Sequence, residues 1–170
     1  NKTSEEVFSL LDNLLKWTKS QLGKLTVIPQ KLDISGLADG VVEVMNSVAE
    51  VKHIKLIRTD HESFFVYVDI EMIKSILRNL ISNAVKFSNP DSEIKVGIKA
   101  EDGKVIVSVT DSGKGIKKED QHKLLKDSTH FTTYGTNSEE GSGLGLLLCR
   151  DFARKNGGEL WFESEENLGS

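Results

Sequence analysis

The sequence of 170 residues has little of what marks a secreted, membrane-spanning or nucleic-acid-binding protein. Its single cysteine, Cys149, excludes an intrachain disulfide and fits a reducing compartment. The formal net charge of −4 leaves no positive excess to attract nucleic acid or anionic membrane. No apolar run is long enough to span a bilayer, and no secretory signal opens the chain. The remaining composition, 38% hydrophobic and 28% charged, is ordinary for a soluble globular protein.

The first residues have the pattern of one amphipathic helix, predicted over residues 3–22. Its apolar face is wide, as in a helix of a bundle. An isolated helix of this length is marginal in water, so we expect it to need a partner. Gly23 is the predicted stop. Because the chain enters this helix directly from Asn1, without methionine, we expect it to have been cut from a longer protein.

The rest of the chain has mixed helical and strand patterns. Ser35 and Asp69 are expected to cap helices that run to about Val51 and Phe87. A third helix is predicted over residues 144–155. The predicted strands are residues 54–58 and 64–68 as one hairpin, residues 93–100 and 104–110 as a second hairpin around Asp102-Gly103, and residues 159–163.

This order of elements predicts an α+β fold of the two-layer α/β sandwich type, with one N-terminal helix before it. We expect one mixed, mostly antiparallel sheet with helices on one face. Residues 112–142 are polar, glycine-rich and weakly patterned. They are too long for an ordinary connection, so we expect this segment to be functional or mobile.

The long helix that ends at Phe87 has one polar side. At about 3.6 residues per turn, Asn79, Asn83 and Lys86 fall together. An amide oxygen can ligate Mg²⁺, and a nearby ammonium can hold the phosphates that the metal bridges. Taken alone, this side is more simply explained as a solvated helix face. The opposite, apolar side is predicted to consist of Ile73, Leu77, Leu80, Ile81 and Ala84.

A carboxylate follows the next buried strand. Asp111 comes after alternating valines and precedes Gly113 and Gly115. A carboxylate fixed at a strand end can accept a hydrogen bond from an exocyclic amine, such as that of adenine. The glycines let the backbone approach a flat ring. On its own, the pattern is also that of a simple Asp-Ser-Gly turn.

A glycine-rich segment opens the last helix. Its residues are Gly141, Ser142, Gly143, Leu144, Gly145 and Leu146. Free backbone N–H groups at a helix start, together with the positive end of the helix dipole, form an anion site. Glycine-rich loops are common, so this motif is weak by itself.

The three motifs in this order supply a metal ligand, a base reader and a phosphate cradle. In this combination the sequence resembles the GHKL family of ATP-binding domains, named for gyrase, Hsp90, histidine kinase and MutL. The segment "NLISNAVKFS" resembles its N box, "DSGKGI" its G1 box and "GSGLGL" its G2 box. "KNGGELWFES" resembles the helix end and strand that follow in histidine kinases, and "LLDNLLKWTKSQLGKL" resembles the end of the second dimerisation helix.

The resemblance implies a role for each matching residue. Asn83 would ligate Mg²⁺, and Asn79 and Lys86 would contact phosphates or the metal's waters; these three form the implied catalytic machinery. Phe87 would pack against the nucleotide, with simple core packing an equal alternative. Asp111 would read the adenine amine. The other implied ATP-binding residues are Gly113, Gly115 and Ile116 at the base, and Gly141, Ser142, Gly143, Leu144, Gly145 and Leu146 at the phosphates.

One position distinguishes the branches of this family. Its ATP-hydrolysing members carry a glutamate four residues before the metal-binding asparagine, and here that position is Asn79. An amide cannot act as a general base, so the resemblance favours transfer to an external nucleophile over hydrolysis. Among the chain's histidines, none lies on a bundle-like helix followed by an acidic residue. His53, His61, His122 and His130 are all predicted to be surface residues.

The sequence departs from the family pattern in two places. The loop before the G2 box often carries an arginine, but no arginine lies between Arg78 and Arg150. Lys114, Lys123 or Lys126 could supply this cation, and the sequence leaves the choice open. The chain ends at "ENLGS", where a final strand would be expected, so the sheet is expected to lack an edge strand.

The resemblance implies a protein-histidine kinase domain that uses ATP and Mg²⁺, inactive for autophosphorylation as this chain alone. Residues 1–24 would be the tail of the phosphoacceptor hairpin, and residues 25–170 the ATP-binding domain. The implied partners are that hairpin in a homodimeric parent protein and a response-regulator receiver domain, with no nucleic acid and no membrane contact. The implied location is cytoplasmic, with a membrane anchor in the parent left open. The alternatives are a GHKL-type ATPase that uses ATP to drive a conformational change, and a non-catalytic nucleotide-binding docking module.

Overall fold

Strands and helices follow one another in mixed order in the computed structural model, which describes residues 11–12, 14–20, 22–124, 135–136 and 143–170. The strands are β1 (Pro29–Asp33), β2 (Lys55–Arg58), β3 (Phe65–Asp69), β4 (Glu93–Glu101) and β5 (Lys104–Asp111). The helices are α1 (Ile34–Glu50), α2 (Ile70–Phe87), α3 (Lys118–Gln121) and α4 (Gly145–Lys155), with further helical residues at 11–12 and 14–20. None of the helices in these ranges is long and apolar enough to cross a membrane.

Carboxylates cap the two long helices. Asp69 caps α2 as predicted, since its side chain accepts a hydrogen bond from the backbone N–H of Met72 at 3.0 Å. The prediction that Ser35 caps α1 was wrong. Asp33 is the cap, and it accepts from the N–H of Ser35 at 3.1 Å. Ser35 lies inside the helix, where its hydroxyl donates to the carbonyl of Glu62.

The strands form two hydrogen-bonded sheets rather than the single sheet predicted. β1 pairs antiparallel with β3, while β2, β4 and β5 form a three-stranded sheet in that order. In the three-stranded sheet, β2 lies parallel to β4, and β4 lies antiparallel to β5. The predicted hairpin of residues 54–58 and 64–68 was therefore wrong. Alternating apolar residues indicate that a segment is a strand, but they do not specify its partner.

The hairpin of β4 and β5 was predicted correctly. Asp102 and Gly103 connect the strands, and both have positive φ angles, +50° and +73°. This backbone twist matches the right-handed twist of the flanking strands, which is why Asp-Gly turns favour hairpins.

The strand predicted over residues 159–163 is not formed among the described residues. A strand is defined by its hydrogen-bonded partner. Here the free edge of β5 is met at Asp111 by the last residue of the chain: the N–H of Asp111 donates to the carbonyl of Ser170 at 2.9 Å. Residues 159–163 lack such a partner in the described structure, although their side chains alternate between half-buried and exposed.

The main core lies between one face of the three-stranded sheet and helices α1 and α2, which confirms the predicted two-layer arrangement. Ile94, Val96 and Ile98 of β4 are buried on the inner face, whereas Lys95 and Lys99 are exposed on the outer face. Both helices contribute apolar residues that contact this inner face. They include Val41, Met45 and Ala49 of α1, and Leu77, Ile81, Ala84 and Val85 of α2.

A second, smaller core joins the N-terminal segment to the rest of the domain. Trp17 packs against Met72, Leu148 and Phe152, which are all buried. The hydroxyl of Ser20, also buried, donates to the carboxylate of Asp151 on α4. The helical residues 14–20 are thus fixed against helices α2 and α4.

Candidate nucleotide-binding site

Asn79, on the polar side of α2, lies beside the beginning of α4. Asn79, Asn83 and Lys86 are half-buried. On the predicted apolar side, Leu77, Ile81 and Ala84 are buried and Ile73 packs against the main core. Leu80 is half-buried and lies outside that core.

The side chain of Asn79 lies between two residues of α4. A Cβ atom on Gly145 would lie 3.3 Å from Asn79 Oδ1, so the absence of a side chain at Gly145 leaves room for the amide. One turn later, Cys149 also lies beside the Asn79 side chain, and its thiol donates to the carbonyl oxygen of Ile76 at 3.9 Å. These contacts hold the amide beside the start of α4, where backbone N–H groups point outward.

Cys149 is fully buried, as is common for a cysteine that forms no disulfide. Burial raises the pKa of its thiol to about 12, against the smaller opposing effect of the neighbouring Asn79 side chain. Since the thiolate is the nucleophile, we expect iodoacetamide at pH 8 to leave the folded chain unmodified. The same reagent should alkylate Cys149 completely in denaturant, and mass spectrometry can count the adducts. Rapid alkylation under native conditions would contradict this packing.

Asp111 lies at the end of β5, where its carboxylate is partly buried. Its Oδ1 accepts a hydrogen bond from the backbone N–H of Gly113 at 2.8 Å. Burial raises the pKa of Asp111, and the backbone N–H groups of Gly113 and Ser170 partly offset that rise. The group is therefore an acceptor fixed by the backbone, in a place where an unmatched polar partner would be costly.

The two G1-box glycines lie against neighbouring backbone. A Cβ atom on Gly113 would overlap the carbonyl oxygen of Phe87, the last residue of α2. Gly115 has a φ of +61°, and a Cβ there would overlap the carbonyl oxygen of Glu165. The next residue, Ile116, donates its N–H to the hydroxyl of Ser164 at 2.8 Å. The G1 box thus fits between the end of α2 and the C-terminal residues.

Two lysines flank the ring of Phe87. The Nζ atom of Lys86 lies 5.0 Å from the ring centroid, and that of Lys114 lies 4.8 Å away. Among the three lysines left open by the sequence, Lys114 is therefore the one beside the N box. Lys123 forms an ion pair with Asp120 at 2.7 Å, and Lys126 lies outside the described residues.

The G2 box is only partly described. Gly141 and Ser142 lie outside the described residues. Gly143 has a φ of +68°, which glycine adopts without strain. Leu144 is buried and is the N-cap of α4, whose first two residues are Gly145 and Leu146. The side chain of Leu144 cannot accept hydrogen bonds, so Leu144 does not cap the first N–H groups of this helix.

Three residues near this site were not predicted from the sequence. They are Lys52 and Thr136, which contact each other, and Cys149, which lies beside Asn79. The ammonium of Lys52 and the hydroxyl of Thr136 lie 2.8 Å apart at the end of α2. No local pattern marks either residue, because the contact joins positions far apart in sequence. The three described histidines, His53, His61 and His122, are exposed as predicted, and His130 lies outside the described residues.

Residues 68–170 match the family described as histidine kinase-, DNA gyrase B- and HSP90-like ATPase. This chain belongs to that family. The adaptive-response sensory kinase SasA of Crocosphaera subtropica is 34% identical over 163 residues, which cover 95% of this chain and 42% of SasA. The chain thus spans less than half the length of this curated relative.

Solved structures of histidine kinases have the same fold. The nucleotide-free catalytic domain of the histidine kinase ThkA matches with a TM-score of 0.71 and 30% identity, over 84% of this chain and 92% of that one. Full-length ShkA, solved in complex with AMPPNP, matches with a TM-score of 0.79 and 24% identity. That match covers 99% of this chain and 35% of ShkA. The predicted histidine-kinase fold is thereby confirmed.

Proposed function

We propose that this chain binds Mg-ATP and transfers its γ-phosphate to a histidine on a dimerisation helix, for relay to a response-regulator aspartate. The observation that carries the proposal is the position of Asn79, held against Gly145 at the start of α4. Asn79 stands where hydrolysing members of the family would carry a glutamate. An amide in this place can bind phosphate oxygens or metal-bound water, but it cannot remove a proton from water.

The proposed adenine site is the end of β5. Asp111 would accept the adenine amine through the carboxylate oxygen that Gly113 leaves available. Gly113, Gly115 and Ile116 would form the floor against which the flat base lies. Phe87, at the end of α2 and next to Gly113, would contact the nucleotide from the other side. This arrangement favours adenine over guanine, because guanine has a carbonyl oxygen in place of the adenine amine.

The proposed phosphate site lies between α2 and α4. The phosphates would reach the N–H groups at the start of α4 past Gly143 and Gly145. Gly141, which lies outside the described residues, is proposed to play the same part. Lys86 would contribute a positive charge from the N box, with Lys114 as a second cation beside the Phe87 ring. Leu144 and Leu146 would contribute backbone rather than side-chain contacts.

The donor set in this region fits Mg²⁺ better than a transition metal. Asn83 offers an amide oxygen, and the described residues contain no group of three or more His, Cys, Asp or Glu that could hold a metal. Mg²⁺ commonly keeps several waters and takes few protein ligands plus substrate phosphates. When bound, the metal would neutralise phosphate charge during transfer. Asn83 would orient it, and Asn79 would hold one of its waters.

We also propose that residues 1–24 belong to the phosphoacceptor hairpin and residues 25–170 to the ATP-binding domain. The pairing of β1 with β3 supports the start of the ATP-binding domain near residue 25, because it joins residues 29–33 to the rest of that domain. The packing of Trp17 and Ser20 on α4 supports a hairpin segment that docks on this domain. Partners of the proposed longer protein are its own hairpin and a receiver domain.

The test is transfer in trans. The chain is incubated with γ-labelled ATP and Mg²⁺, with and without a separately produced phosphoacceptor hairpin from a related kinase. We expect no label on the chain alone, and acid-labile, alkali-stable label on the hairpin. A hairpin whose acceptor histidine is alanine should stay unlabelled, and Asn83→Ala should abolish transfer.

Phosphate release from the same reactions distinguishes the ATPase alternative. We expect release by the chain alone to be near background, because Asn79 cannot activate water. Robust hydrolysis without a hairpin would refute the transferase proposal in favour of an ATPase. Nucleotide binding with neither transfer nor hydrolysis, even with several hairpins, would favour a docking module.

A further inference from the structure

Lys52 is a buried lysine that contacts the end of the N-box helix. It follows α1 and is only 6% exposed. Its Nζ atom donates to the carbonyl oxygens of Val85 and Lys86, both at 3.0 Å. Carbonyls in the last turn of a helix carry the negative end of the helix dipole, so a buried ammonium is favourable there.

Thr136 lies on the same helix end. Its backbone N–H donates to the carbonyl of Lys86 at 3.0 Å, and its hydroxyl donates to the carbonyl of Ser88 at 2.7 Å. The ammonium of Lys52 donates to that hydroxyl at 2.8 Å. That hydroxyl also lies 3.2 Å from the carbonyl oxygen of Lys86, so this carbonyl is contacted by Lys52 and by both the backbone N–H and the hydroxyl of Thr136.

One of the contacted carbonyls belongs to Lys86, whose side chain is part of the proposed phosphate site. Lys86 follows Asn83 by three positions, and its side chain lies beside the Phe87 ring. A rotation of this last helical turn would change the direction in which the Lys86 side chain leaves the helix, and so move its ammonium from its place beside the Phe87 ring. Fixing its carbonyl fixes the point from which the side chain extends.

We infer that Lys52 and Thr136 are positioning residues for phosphate binding, which act through the backbone of Lys86. The inference rests on the proposed function, because it requires that Lys86 contact the phosphates. Thr136 belongs to the segment between the G1 and G2 boxes. Its hydroxyl thus joins one described residue of that segment to the end of α2.

The experiment compares ADP with adenosine. ADP should depend on the Lys86 ammonium, whereas adenosine uses only the proposed base site at Asp111. Mg-ADP affinity is measured by calorimetry and adenosine affinity by NMR titration, for the unmodified chain and for Thr136→Val, Thr136→Ser and Lys52→Met. We expect Thr136→Val to weaken ADP about tenfold, the effect of losing one hydrogen-bonded anchor. Adenosine affinity should stay within about twofold, and Thr136→Ser should retain ADP binding because it keeps the hydroxyl.

Lys52→Met should weaken ADP at least as much as Thr136→Val, and the double variant should lose less than the sum of the two effects, because the residues share one network. Equal loss of ADP and adenosine would indicate general destabilisation and overturn the inference. Unchanged ADP affinity in Thr136→Val would also overturn it, even if Lys52→Met does not fold. Failure of the unmodified chain to bind either ligand would instead refute the proposed function.

Discussion

Replacing Gly115 with alanine is expected to destabilise the chain by about 2–5 kcal/mol. Two costs add at this position. A residue with a Cβ atom is strained at the φ of +61° that Gly115 adopts. The new Cβ would also overlap the carbonyl oxygen of Glu165, so the backbone near the chain's C-terminus would have to move. The measurement is the midpoint of urea unfolding, followed by circular dichroism, at unchanged slope.

Gly157→Ala is the matched control for this substitution. Gly157 has a similar φ of +75°, but a Cβ there would meet no atom within 4 Å. It should therefore show the strain alone, about 1–2 kcal/mol. The difference between the two variants reports the contact of Gly115 with Glu165. Equal losses of stability would show that the C-terminal residues do not pack on the G1 box as described.

Asp111→Asn is expected to weaken ATP and ADP binding by about 1–3 kcal/mol, which is about 5- to 150-fold. The asparagine keeps the shape and can still accept from the N–H of Gly113, but its amide group presents a donor to the adenine amine if its oxygen faces Gly113. Calorimetry with ATP and GTP measures both affinity and base preference. We expect the unmodified chain to prefer ATP, and the variant to lose most of that preference.

Asp102→Asn serves as the control for the loss of one negative charge, because Asp102 is exposed in the turn between β4 and β5. It should leave nucleotide affinity unchanged. Equal affinity of the unmodified chain for ATP and GTP would contradict the role of Asp111 as the adenine acceptor.

The same carboxylate predicts a pH dependence. Burial raises the pKa of Asp111, so its carboxylate is protonated at a higher pH than an exposed aspartate. The ionised form is the acceptor, so ADP affinity should be complete above this pKa and should fall as the pH drops through it. The ADP affinity of Asp111→Asn should lack this fall. A profile that is identical in both proteins would assign the titration to another group.

The parts of the fold that depend on local chemistry could be predicted from the sequence. The boundaries of α2 follow from the cap at Asp69 and the apolar period up to Phe87, and the second hairpin follows from Asp102-Gly103. The sequence predicts Ser35 as the cap of α1, but Asp33, two residues earlier, is an equally good cap by residue type and is the one that forms. Only the tertiary contact of the Ser35 hydroxyl with Glu62 separates them.

The parts that depend on pairing over long distances in sequence could not be predicted in this way. The partner of β3 is β1, about 35 residues earlier in the chain, and nothing in the pattern of either strand specifies the other. The same holds for the site. The motifs themselves indicate Asn79 and Asp111. Lys52 belongs to no motif, and its role becomes visible only from its contacts with the carbonyls at the end of α2.

Helix α4 joins two distant regions of the molecule. Its 11 residues form a rod about 16 Å long. One end lies at Asn79 through Gly145, and the other carries Asp151 and Phe152, which contact Ser20 and Trp17. If nucleotide binding shifts α4, the shift will change how tightly α4 holds residues 14–20. By thermodynamic reciprocity, releasing that segment from α4 then changes nucleotide affinity by the same coupling free energy. Nucleotide binding at one end of α4 and docking of residues 14–20 at the other would then be linked by a single coupling free energy.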